Sequence, residues 1–128
     1  DAMLARQKNS PLSDAAARLL CERSLEHTGD FYQWRTDPRL NWRSPHLLTN
    51  EQVLNILAAI RSPVLAITSP TAIDHHGEKI LRQRIATIEN CKHVINEGHH
   101  HFHMDDAEHT GACITEFLLQ QDQEHDDS

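Results

Sequence analysis

The chain has 128 residues, 38% of them hydrophobic and 24% charged, which bounds it to one modest domain with a core of its own. Its formal charge of −7 argues against nonspecific binding to nucleic acid or to an anionic membrane surface. No apolar run reaches the roughly 20 residues that span a bilayer, and the odd, widely spaced Cys21, Cys91 and Cys113 suggest neither a disulfide framework nor a structural zinc site.

A soluble protein in a reducing, cytoplasmic setting is therefore expected. Asp1 to Lys8 is mixed and polar, without the apolar centre of a signal peptide. It reads as the middle of a helix, so the chain is expected to be an excerpt of something longer. Ser13 is placed to cap a helix over Asp14–Leu25, with Ala16, Leu19, Leu20 and Arg23 as its stripe. Turn chemistry in His27-Thr28-Gly29-Asp30 ends it, and Phe31 to Trp34 forms a brief strand. Arg35 to Pro45, with two prolines, is expected to be irregular.

Thr49-Asn50-Glu51-Gln52 has the capping-box pattern, and Val53, Ile56, Leu57 and Ile60 then fall on one helical face. Ser62-Pro63 breaks that helix. Val64 to Thr68 is an unbroken apolar run, the pattern of a strand covered on both faces. Ile80, Leu81, Ile85 and Ile88 mark a further amphipathic helix, and His93 to Asn96 a second short strand. A histidine-rich loop follows, then a helix from about Asp106 to Leu119 that buries Ala107, Gly111, Ile114 and Leu118. The acidic tail, with Asp122, Glu124, Asp126 and Asp127, is expected to be frayed and solvated. The second half thus alternates strand and helix, which implies a parallel sheet with covering helices. Two strands cannot satisfy their own edges, and the first half offers no convincing third, so the domain reads as incomplete.

Chemistry concentrates in Glu97-Gly98-His99-His100-His101-Phe102-His103-Met104-Asp105. Imidazole titrates near neutrality, so a histidine on a strand-to-helix loop suits general acid/base work. The loops after the two strands, Ser69 to His76 and His99 to Asp105, lie at the carboxyl ends where open parallel sheets carry function. Asp74 on the first loop and a histidine on the second match a carboxylate orienting an imidazole base, although Asp74 also fits a solvated residue or helix cap. No Gly-x-Ser-x-Gly elbow occurs, and no serine has the flanking glycines of that turn. Metal binding is the competing class: His99, His101 and His103 would share one side of an extended loop, with His75, His76, Asp105 or Asp106 near. A non-enzymatic protein that dimerises along its exposed sheet edge is a third.

The segment Glu97 to Asp105 resembles the C-terminal histidine motif of α/β-hydrolases, in their serine-hydrolase-like subgroup. Tyr32-Gln33-Trp34-Arg35-Thr36-Asp37-Pro38-Arg39-Leu40 is similar to the piece joining cap to core in that subgroup. Ser44-Pro45, Thr49 to Leu54 and Pro63 to Ile67 follow its pattern in order. The resemblance implies a partial α/β-hydrolase fold, with cap helices followed by a β-α-β-α unit of two parallel strands. Residues 1–45 would be the end of the cap and its connector, 46–120 the C-terminal part of the core, and 121–128 the acidic tail. It implies His100 as the catalytic histidine, Gly98 lying two residues before it and Asp105 five after, with His99 as runner-up. For the catalytic acid the resemblance leaves Asp74, out of the family's usual Gly-x-x-Asp pattern, or a residue on an earlier strand outside this chain. The implied activity is serine-nucleophile, histidine-base hydrolysis of a small ester-like substrate, without metal or cofactor. Trp34, Trp42, Leu47 and Leu48 are candidates to line the substrate cavity. Lacking nucleophile and oxyanion hole, the chain alone is expected to be inert.

Overall fold

A computed structural model describes residues 2–42, 44–71 and 77–126; Asp74, with His75 and His76, lies outside them. The chain divides into two compact units, Asp1–Leu47 and Leu48–Ser128. The first holds α1 (Ala2–Asn9), α2 (Asp14–Ser24), β1 (Leu25–Thr28), β2 (Phe31–Trp34) and a 3-10 turn over Pro38–Asn41. The second runs α3 (Asn50–Ala58), β3 (Val64–Thr68), α4 (Glu78–Thr87), β4 (Cys91–Ile95), α5 (Phe102–Asp105) and α6 (Ala107–Asp126).

In the first unit Ser13 caps α2 as expected, its hydroxyl accepting the Ala16 N–H at 3.2 Å. The buried stripe differs from expectation. Ala16, Ala17 and Cys21 are buried, while Leu19 is exposed. Small side chains face inward here because α1 packs close, with Gln7 Nε2 donating to the Leu12 carbonyl and to Asp14. The helix also stops one residue early. Leu25 is already extended and opens β1, which the sequence reading missed. β1 pairs antiparallel with β2, Leu25 opposite Trp34 and Thr28 opposite Phe31. The two-residue turn Gly29-Asp30 places Gly29 at φ 60°, the left-handed first position of a type II′ hairpin turn. The stretch after β2 is not wholly irregular, since Asp37 caps the 3-10 turn through the Arg39 N–H. The Arg39 side chain and then its backbone N–H hold the Asp37 carboxyl below the usual carboxylate range.

In the second unit the capping box at Thr49 is complete. The Gln52 N–H donates to Thr49 Oγ1 at 3.2 Å, and the Thr49 N–H to Gln52 Oε1 at 2.9 Å. Asn50 then ties α3 to α4, donating to Gln83 and accepting from Arg84. Val53, Leu57 and Ile60 are half-buried as expected, but Leu54 is sheltered in place of the exposed Ile56, so the face is turned slightly from the one expected. β3 and β4 pair in parallel, Val64 opposite Cys91 through Thr68 opposite Ile95. Every residue of β3 is half-buried, as suits a strand flanked on both faces. This strand–helix–strand–helix unit with two parallel strands is a partial α/β fold. The last helix runs to Asp126, well beyond Leu119, so residues 121–126 of the expected acidic tail are helical.

Candidate functional site

The site is built at the carboxyl end of the parallel pair. Beyond Ile95 the ladder continues for one bond, the Asn96 N–H donating to the Thr68 carbonyl at 2.8 Å. The chain then leaves the sheet through Gly98, at φ 104°, where a β-carbon would stand 3.4 Å from Phe102 Cβ. That conformation favours glycine, because L side chains collide with their own backbone there.

The histidines follow in a curled segment, not the extended loop expected. The Phe102 N–H donates to the His99 carbonyl at 3.0 Å, that of Met104 to His101 at 2.8 Å, and that of Asp106 to Phe102 at 2.8 Å. His103, Met104 and Asp105 therefore sit in the helical turn α5. His100 is exposed and meets His101 edge to face, ring centroids 5.0 Å apart; His101 lies 6.0 Å from His103. His101, Phe102 and Met104 are half-buried against the fold, which leaves His100 on the open side of the turn. Curling removes the alternation on which a shared metal-binding side depended. Among the described residues no group of three or more His, Cys, Asp or Glu side chains is placed to hold a metal ion.

α6 starts from Asp106, whose Oδ1 accepts the His109 N–H at 3.1 Å. Its sheltered face carries Thr110, Cys113, Phe117 and Gln121, not Ala107, Gly111, Ile114 and Leu118; Ile114 and Leu118 are 43% and 55% exposed. The difference is one residue, or about 100° of helix rotation. Sequence reasoning also missed three buried polar residues beside the histidine turn: Ser69, Asn96 and Thr110. Asn96 Nδ2 donates to Thr110 Oγ1 at 3.2 Å, and Ser69 Oγ meets Thr71 Oγ1 at 3.2 Å. Their signal was positional, since Ser69 and Asn96 are each the first polar residue after a strand.

Of the residues expected to line a cavity, Trp34 borders a groove in the first unit with Arg6, Thr36, Asp37, Pro38 and Asn41. The Arg6 guanidinium lies 5.6 Å from the Trp34 ring centre. Trp42, Leu47 and Leu48 are exposed. No helix among the described residues is long and apolar enough to cross a membrane.

No protein-family model matches the chain. It is 33% identical over 125 residues to a serine hydrolase-like protein of Dictyostelium discoideum, covering 88% of this chain and 35% of that protein. It is 24% identical over 127 residues to a serine hydrolase-like protein of Danio rerio, covering 94% and 38%. The chain thus spans a little over a third of the length of these relatives. Two crystal structures of one hypothetical protein from Pseudomonas aeruginosa also match. They superpose with TM-scores of 0.66 and 0.72 at 31% and 30% identity, over 82% and 92% of this chain and 37% and 42% of that one. These likenesses, and the shared name of the relatives, support a serine hydrolase-like family for the chain.

Proposed function

We propose that the chain supplies the catalytic histidine of a serine-type hydrolase acting on small ester-like substrates, and that this residue is His100. The observation that carries the reading is the placement of His100. It is exposed on the turn that leaves the carboxyl end of β4, two residues beyond a glycine in a left-handed conformation, in a chain whose relatives are named serine hydrolase-like. His100 acts first as general base, taking the proton from a serine hydroxyl as its oxygen attacks the ester carbonyl. It then acts as general acid, returning that proton to the departing alkoxide. Asp74 is assigned the orienting carboxylate. His101 and His103 pack and support the turn. The 128 residues contain no Gly-x-Ser-x-Gly elbow, so by themselves they hydrolyse no ester.

The test uses the full natural translation product with a p-nitrophenyl ester. His100→Ala is expected to lower turnover at least a thousandfold, in the range seen when a triad base is removed. His101→Ala is expected to retain turnover within a few-fold. Equal loss from both variants, or full activity in His100→Ala, overturns the assignment.

A further inference from the structure

We infer that Asn96 and Thr110 form a buried lock that positions the histidine turn, clamping its two ends together independently of the sheet and helix it joins. His99, His100, His101 and His103 all lie between these two residues, which stand fourteen positions apart in sequence. Asn96 is 3% exposed and Thr110 8%, so their hydrogen bond is screened from competing water. Among the described residues, hydrogen bonds from Lys92 to Glu116 and Gln120 also tie β4 to α6, all exposed and at 3.3 Å. Exposed pairs of that sort hold little.

Bonds inside the turn, from Phe102 to His99 and from Met104 to His101, curl the segment. His101, Phe102 and Met104 shelter one side of it. To that packing the Asn96–Thr110 bond adds a buried hydrogen bond joining the two ends. The Asn96 carboxamide is fixed through Nδ2, and its buried Oδ1 has no partner among the described residues. Removing the Thr110 hydroxyl leaves both polar ends of that side chain unpaired, the costly way to lose a buried hydrogen bond.

As a statement about His100 in catalysis this rests on the proposed function; as a statement about the turn it does not. The test is amide hydrogen exchange, residue by residue, in the full natural translation product. Thr110→Val keeps the side chain's shape and deletes its hydroxyl. It is expected to accelerate exchange at Phe102, Met104 and Asp106 roughly tenfold. The paired amides of Val64–Thr68 and Cys91–Ile95 should keep their wild-type rates, and Thr110→Ser should restore the turn. Unchanged exchange in the turn overturns the inference. So does equal acceleration in turn and sheet, or a Thr110→Val protein that does not fold, because the bond would then serve the whole fold. No hydrolysis is involved, so a fully active His100→Ala would sink the catalytic assignment and leave the exchange result standing.

Discussion

Gly98 is glycine for its backbone. Its φ of 104° lies where a β-carbon meets its own backbone, while that carbon would stand in ordinary contact with Phe102 Cβ at 3.4 Å. Gly98→Ala is expected to lower stability by about 1–3 kcal/mol, read as a shift in the urea midpoint. An unchanged midpoint would mean that the turn adapts freely, and that His100 does not depend on the glycine for its position. The proposal of His100 rests on the resemblance, in which Gly98 lies two residues before it and Asp105 five after. Asn96 and Thr110 were not legible in the sequence. A polar residue after a strand is usually solvated, and only packing shows that these two face each other.

Among the elements, α3 is the one whose origin is most local. Its first turn is closed by reciprocal bonds between Thr49 and Gln52, which satisfy N–H groups that no helix can satisfy internally. Thr49→Ala should cost about 1 kcal/mol, measurable by urea unfolding, with Thr49→Ser near wild type. β3 was equally readable, as five consecutive apolar or β-branched residues after a proline. β1 was not, since Leu25-Glu26-His27-Thr28 holds one apolar residue and no alternation. It is a strand because β2 pairs with it, with Gln33 donating to Glu26 and Tyr32 packing on His27. α6 was recognised as a helix but with its face turned by one residue. Its apolar residues surround much of the cylinder, so periodicity alone did not choose which side the Asn96–Thr110 bond would draw inward.

For the whole molecule the decisive quantity is exposed surface. The chain shows 10120 Å². A folded protein of this length shows about 6,900 Å², and two separate domains of these sizes together about 8,300 Å². Large apolar side chains contribute to it: Ile56, Ile80, Ile95, Ile114, Leu118 and Leu119 are exposed in the second unit. Both edges of the two-stranded parallel sheet lack a strand partner among the described residues. Prepared alone, the 128 residues are therefore expected to bind 8-anilinonaphthalene-1-sulfonate strongly and to unfold over a broad urea range. A longer chain whose added residues cover these faces should do neither. Weak dye binding with a sharp transition, together with a dimeric mass, would instead show a second copy covering these faces.

The sequence by itself determined the α/β alternation, the caps of α2 and α3 and the two parallel strands. Each depends on neighbours within a few positions, through hydrogen bonds and periodicities that a linear string preserves. Tertiary structure alone decided the β1–β2 hairpin, the sheltered faces of α3 and α6, and the buried Asn96–Thr110 bond behind the histidine turn. Those depend on which surfaces meet, and residues fourteen positions apart become partners only once a strand and a helix have packed.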